Sequence, residues 1–137
     1  MYSEVIFNLG NCYYRLKDYD SAIKYYEIEV QEEEEKQKGQ RLNNLGSCYA
    51  KKQQTQLSLK SFSESLKIYQ KYPEIDCSNL LNNLGTLYFK ASMHDTAAKY
   101  FSESINTRKL KSPDNEEMLY FSYFKMGQCL KKSKKYE

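Results

Sequence analysis

One seven-residue pattern recurs four times, and it constrains the fold more than any other feature. It reads Phe-Asn-Leu-Gly-Asn-Cys-Tyr at 7–13, Asn-Asn-Leu-Gly-Ser-Cys-Tyr at 43–49, Asn-Asn-Leu-Gly-Thr-Leu-Tyr at 82–88 and Phe-Lys-Met-Gly-Gln-Cys-Leu at 124–130. The glycines, Gly10, Gly46, Gly85 and Gly127, lie 36, 39 and 42 residues apart. A period of roughly 20–50 residues marks stacked repeat units rather than a single irregular core. The 137 residues hold one other glycine, Gly39, and 2 prolines, too few turn-formers for a sandwich or barrel of many short strands.

The apolar spacing inside each unit is helical. Ile6, Leu9, Tyr13 and Leu16 are separated by 3, 4 and 3 residues, and Leu42-Leu45-Tyr49, Leu81-Leu84-Tyr88 and Tyr123-Met126-Leu130 repeat the rhythm. A glycine inside a helix costs up to ~1 kcal/mol against alanine. Its recurrence therefore implies close approach by another element. A second helix follows each of the first three. Counted from each glycine, a small residue recurs 12 places on (Ala22, Ser58, Ala97), an aromatic 16 places on (Tyr26, Phe62, Phe101) and an aliphatic 20 places on (Val30, Leu66, Ile105). This is the pattern of antiparallel helices that interlock. Lys17-Asp18 separates the first pair; Gly39, Tyr72-Pro73 and Ser112-Pro113-Asp114 are expected to end the second helices. Asp114 with Glu117 reads as a capping box. The run Glu32 to Lys38 reads as a helix extension with Glu32–Lys36 and Glu34–Lys38 pairs.

These residues resemble the tetratricopeptide repeat family: a helical pair marked by Leu-Gly-x-x-Tyr, then a small residue, an aromatic and an aliphatic. The segment from Phe7 to Tyr26 carries the likeness best. The long period and the Leu-Asn-Asn-Leu-Gly wording at 42–46 and 81–85 resemble the extended repeats of kinesin light chains and LGN/Pins-type adaptors. The resemblance implies an all-α, right-handed superhelical solenoid of about three and a half repeats, with approximate bounds 3–38, 39–76, 77–114 and a partial 115–137. Departures from the family pattern are Glu29, Ser65 and Ser104 in place of a small alanine, and Thr55 and His94 in place of the aromatic seen at Tyr19. The apolar residues around 118–124 and the approach to a turn at Lys134-Lys135-Tyr136-Glu137 suggest a piece of a longer array.

Composition narrows the function. The 14 tyrosines have a packing reading, with Tyr13, Tyr26, Tyr49 and Tyr88 between helices. Cys12, Cys48 and Cys129 each lie two residues after a repeat glycine, in a small core slot; with Cys77 they form no metal-ligand spacing, and neither a metal nor another cofactor is expected. A single histidine, His94, without a nucleophile pattern gives no catalytic residues. No apolar run approaches the ~20 residues of a membrane span, and the start lacks the regions of a signal peptide. The net charge of +3 and only three arginines, Arg15, Arg41 and Arg108, do not favour nucleic acid. A reducing, cytoplasmic setting is expected.

What remains is a binding surface. In stacked helical pairs the first helices line a concave groove. Asn8, Asn11 and Arg15 share one face of the first unit; Asn44 and Lys51 in the second, and Asn83 and Lys90 in the third, occupy the same places. The position before adds Phe7, Asn43 and Asn82, and Tyr14 and Phe89 add aromatic surface. Amides suit a peptide backbone, and the basic row suits acidic side chains, so the expected ligand is an acidic protein or peptide segment. Co-chaperones of the family grip a C-terminal carboxylate with two asparagines and several basic residues. Asn11 and Asn44 match the asparagines, but Phe7, Asn79 and Asn83 stand at the basic positions, so that clamp is incomplete. The alternative function is an architectural spacer in a cytoskeletal or ciliary assembly, contacting through convex faces or ends, including Phe121 and Phe124.

Overall fold

The computed structural model describes residues 2–29 and 33–135. Among them are seven helices and no strand: α1 (Tyr2–Arg15), α2 (Tyr19–Tyr26), α3 (Glu35–Lys51), α4 (Thr55–Tyr69), α5 (Ser78–Lys90), α6 (His94–Lys111) and α7 (Glu116–Lys135). The chain divides at Tyr72/Pro73 into two compact units, the first holding α1–α4 and the second α5–α7.

Within each unit the paired helices run antiparallel. In α3 and α4, Gly46 meets Phe62 and Gly39 meets Tyr69, so contacts advance along one helix as they retreat along the other. A β-carbon at Gly10, Gly46 or Gly85 would stand 2.5, 2.6 or 2.9 Å from the ring of Tyr26, Phe62 or Phe101. Those rings are at most 1% exposed, and Ala22, Ser58 and Ala97 are fully buried. The glycines are thus notches for rings, and the helix-propensity cost is offset by buried aromatic area.

The first unit's core joins Ala22, Tyr26, Leu42, Leu45, Cys48, Tyr49 and Ile68. The second unit's includes Ala97, Phe101 and Cys129, with Tyr88, Phe89 and Met126 against it. Burial pushes the Cys48 thiol up to about 12, which makes it an inert small core residue at neutral pH. Serines take the usual alanine slot without penalty because each has a partner. Ser65 Oγ donates to the Gly39 carbonyl at 2.7 Å and Ser104 Oγ to the Ser78 carbonyl at 2.9 Å.

The turn between paired helices is the same each time. Lys17, Gln53 and Ser92, each seven residues past a repeat glycine, have φ of 61°, 60° and 62°. The next residues, Asp18, Gln54 and Met93, donate their N–H back to the carbonyls of Tyr13, Tyr49 and Tyr88 at 3.0, 2.9 and 2.9 Å. This left-handed C-terminal cap is made here without glycine. Asp18 also caps α2, accepting from Ser21 N at 3.2 Å and Ser21 Oγ at 2.7 Å, and these bonds hold its carboxyl below the ordinary value.

Several expectations are corrected. Gly39 does not end a helix: it lies inside α3, packed on Tyr69 and Ile68. Consequently α3 starts ahead of the expected 38/39 boundary, at Glu35, and Glu33 and Glu34 precede it rather than extending α2. Val30 and Glu32 lie outside the described residues. The cap of α7 is Asn115, whose Oδ1 faces Met118 N at 3.4 Å, and not Asp114. Lys134 and Lys135 belong to α7 rather than to a turn. Cys12 is exposed. Leu9 and Leu16 are exposed as well. Tyr13 and Tyr88, by contrast, pack between helices as expected: each is half-buried against its unit's core and stacks on a tyrosine of the paired helix, Tyr25 and Tyr100, at 5.4 Å in both cases.

Candidate functional site

In the first unit, α1 and α3 bring together two of the expected amides. Asn44 Nδ2 donates to Asn11 Oδ1 at 3.1 Å, and the Tyr26 hydroxyl donates to the same oxygen at 2.5 Å. Burial raises the Tyr26 hydroxyl to about 12, so it remains a donor, with a hydrogen bond from Asn44 opposing that rise. Asn11, Asn44 and Tyr26, together with Tyr14, Arg15 and Ser47, line a cleft of about 290 Å³. Tyr14 is half-buried against the edge of Tyr19, with ring centroids 5.5 Å apart. Phe7 and Asn8 lie instead in a second cleft of about 430 Å³, with Ser3, Glu4, Glu33, Gln37 and Gln40. Asn43 is half-buried and its Oδ1 has no partner among the described residues.

The two clefts differ in sign. Arg15 and Lys51 are the last residues of α1 and α3 and are exposed, where a cation also suits the helix C-terminus. Glu4 puts an acid in the other cleft, which Glu33 lines as well. Glu33 is pinned by Arg41, a residue that sequence reasoning counted but gave no role. The Arg41 guanidinium meets both Glu33 oxygens at 2.8 and 3.0 Å and donates to the Tyr26 carbonyl at 2.6 Å, at the end of α2. The periodic pattern gave no cue for this, since Arg41 sits on an apolar face and its partner lies in the connection between repeats.

The second unit treats its amides differently. Asn82 is 4% exposed and accepts from Ser122 Oγ at 3.0 Å, so the expected open rung is a buried link between α5 and α7. The correction has a physical reason: the position three residues before the glycine faces the neighbouring first helix, whereas the next position, Asn83, is half-buried on the rim. Asn82 and Asn83 line a cleft of about 420 Å³ with Asn79, Thr86, Glu117, Met118 and Phe121. Phe89 is also enclosed rather than open. Lys132 Nζ and Lys125 Nζ stand 4.9 and 5.4 Å from its ring centre, and His94 meets its edge. Lys90 is exposed at the end of α5.

Among the described residues no group of three or more His, Cys, Asp or Glu is placed to hold a metal ion. No helix among them is long and apolar enough to cross a membrane.

The fold and the glycine notches define the class: stacked antiparallel helical pairs. Tetratricopeptide repeat models match residues 41–109 and residues 3–27, and the chain belongs to the tetratricopeptide repeat family. No curated protein matches in sequence. Similar solved structures include BtubC (BKLC) from P. vanneervenii, at TM-score 0.85 and 20% identity over 96% of this chain and 56% of that one. PcrH, solved in complex with the chaperone binding region of PopD, matches at TM-score 0.78 and 14% identity, covering 95% of this chain and 92% of that one. The TPR2B domain of yeast Sti1, in a pHsp70 complex, matches at TM-score 0.75 and 14% identity over 92% and 96% of the two chains. At these identities the likeness is one of fold. The chain spans about half of BtubC (56%).

Proposed function

We propose that this chain is a non-enzymatic protein-interaction module. It takes an extended segment of a partner polypeptide across the polar face of α1 and α3, with acidic side chains of that segment at the Arg15 and Lys51 end. The observation that carries this reading is the Asn11–Asn44 pair. Two amides from successive repeats are fixed edge to edge over Tyr26, at the mouth of a cleft that also holds Arg15. With Asn11 Oδ1 already satisfied, the Asn11 Nδ2 group and the Asn44 carbonyl offer one donor and one acceptor, which matches a peptide unit. A fixed amide loses little entropy on binding. Glu4 at the other end disfavours the same charge on the ligand, so the segment has a preferred direction.

The family supports a binding role: PcrH and the TPR2B domain of Sti1 were each solved with a polypeptide ligand. The carboxylate clamp does not transfer, because Asn79 stands at one of its basic positions and is itself held by Arg108 at 2.6 Å. The test is an array of extended peptides read by fluorescence anisotropy. Binders should be enriched in Asp and Glu toward one end, and Asn44→Ala should weaken them at least tenfold. If Asn44→Ala and Arg15→Ala both leave the affinity of every binder unchanged, the groove assignment is wrong.

A further inference from the structure

The first repeat pairs two residues that the next two do not. Gly10 is followed by Asn11 and faces Tyr26, whereas Gly46 and Gly85 are followed by Ser47 and Thr86 and face Phe62 and Phe101. Ser47 and Thr86 send their hydroxyls back to their own helices, to the carbonyls of Asn43 at 3.2 Å and Asn82 at 2.9 Å. The phenylalanines beside them ask for no polar partner. A phenylalanine therefore suffices to fill such a notch, and the Tyr26 hydroxyl is not needed for packing. Tyr26 is 1% exposed, so its hydroxyl has to find its partners inside the protein.

Those partners form a closed triangle. The Tyr26 hydroxyl donates to Asn11 Oδ1 at 2.5 Å, Asn44 Nδ2 donates to the same oxygen at 3.1 Å, and Asn44 also donates to the Tyr26 oxygen. Asn44 has thereby committed both of its N–H groups, and the single phenol proton is committed to Asn11. Burial pushes the phenol up to about 12, so it keeps that proton at neutral pH. Turning Asn11 over by itself would set donor against donor, and turning Asn44 over would set acceptor against acceptor. The two amides are thus obliged to face opposite ways. Distance decides which of the two opposed arrangements is present. N–H···O contacts run from about 2.7 to 3.2 Å, whereas O–H···O contacts reach down to about 2.5 Å. The 2.5 Å contact therefore puts the oxygen of Asn11, not its nitrogen, on the phenol.

We infer that Tyr26 is a positioning residue that sets the direction in which the groove takes a polypeptide. The inference rests on the groove reading above and adds a polarity to it. With the triangle closed, α1 presents a donor, Asn11 Nδ2, and α3 presents an acceptor, Asn44 Oδ1. In an extended segment the N–H and C=O of one residue point to the same edge and are closely spaced, the N–H coming first. The segment places its N–H on Asn44 and the following C=O on Asn11, and so runs from α3 toward α1. Laid the other way, it matches the two amides only with the C=O of one residue and the N–H two residues on, which stand farther apart.

The test variant is Tyr26→Phe, and Phe62 and Phe101 show that the repeat accepts phenylalanine in this slot. In the free chain, NMR should show side-chain amide exchange with water to be slower at Asn44 than at Asn11. Tyr26→Phe should speed the exchange at Asn44 several-fold. For binding, an acidic peptide found in the array is compared with its reversed sequence, both acetylated and amidated. The parent chain should prefer one direction on the order of tenfold, and Tyr26→Phe should cut that ratio to about threefold or less. A general folding defect lowers both affinities alike and leaves the ratio unchanged. Slower exchange at Asn11 than at Asn44 in the parent would overturn the inference. So would the absence of a direction preference in the parent, or a ratio that Tyr26→Phe leaves intact. If Asn44→Ala still weakens the binders in those cases, the groove stands and only the role of Tyr26 is lost. Binders indifferent to Asn44→Ala and Arg15→Ala, or an array without binders, overturn both.

Discussion

The first and second units use the same repeat grammar to opposite ends. In the first, Asn11 and Asn44 meet at a cleft, half-buried, with a tyrosine beneath them. In the second, Asn82 is sealed against Ser122, and the aromatic surface has moved outward onto α7. One step along a helix turns a side chain by about 100°, enough to move an asparagine from the rim to the interior. The polar site is open where the core is closed over Gly10, and the apolar face is open where Gly127 has no ring above it. Exposure of a repeat position therefore depends on its neighbours as much as on its residue type.

The largest effect should come from the rings that fill notches. Phe62→Ala in the first unit and Phe101→Ala in the second should each cost about 3–5 kcal/mol in chemical denaturation, as both rings are buried and wedged against glycine. Phe124→Ala should stay within about 0.5 kcal/mol. A loss at Phe124 comparable with that at Phe62 would mean its face is covered in solution, and the contrast between filled and open notches would collapse.

The buried arginines sharpen the comparison next. Arg41 is 5% exposed and fully engaged by Glu33 and the Tyr26 carbonyl. Arg108 is 3% exposed; it donates to the neutral Asn79 carbonyl, its Nε is unpaired, and its charge lowers the Asp76 carboxyl less than the serine hydrogen bonds do. Removing one member of a satisfied buried ion pair strands the other, so Arg41→Met should lose about 3 kcal/mol. Arg108→Met should change stability by no more than about 1 kcal/mol, since it also removes an unsatisfied group. Equal losses would show that the Arg108–Asp76 interaction is as strong as the Arg41–Glu33 pair.

Alanine at the glycines should split in sign. Gly46→Ala forces the Phe62 ring to shift and should cost about 1–2 kcal/mol after the gain in helix propensity. Gly127→Ala meets open space and should stabilise the chain by about 0.5–1 kcal/mol, read as a raised Tm.

The helices, the pairing and the glycine notches were legible in the sequence because each repeats, so a residue's role could be checked against its three counterparts. What repetition does not encode was missed. Arg41 and Glu33 form a bond unique to one connection. The turns at Lys17, Gln53 and Ser92 do recur at one repeat position, and Lys17-Asp18 reads as a break, but their left-handed conformation was not legible, because no glycine or asparagine marks it and backbone bonds of the surrounding helices hold it. Gly39 looked like a stop because it lies off the repeat register, yet it is a further notch, filled by Tyr69. The candidate groove was legible as a face but not in its depth. Whether Asn43, Asn44, Asn82 or Asn83 meets solvent depends on what packs beside it.

The smallest expected effect concerns how each unit ties the start of a first helix to the end of its partner. The first unit uses charge at the surface: Glu35 accepts from Lys71 Nζ at 2.5 Å and from the Tyr72 hydroxyl at 2.9 Å, and both bonds hold its carboxyl below the ordinary value. The second uses Asp76. Burial pushes its carboxyl up, but hydrogen bonds from Ser78 side chain and backbone, and from Ser112, outweigh this and hold it low. In both cases the folded pKa lies below the unfolded one. The contribution is therefore complete above the ordinary carboxylate range and is lost as pH falls through the depressed folded value. Asp76→Asn should be less stable than the parent at neutral pH, with the gap closing below about pH 3.9. Salt separates the two ties. Raising ionic strength should reduce the effect of Glu35→Gln, whose partner is an exposed lysine, and leave that of Asp76→Asn nearly unchanged, because its nearest partners are neutral hydroxyls and an N–H. Equal salt sensitivity of the two variants would indicate that Asp76 is held mainly by Arg108 rather than by its serines.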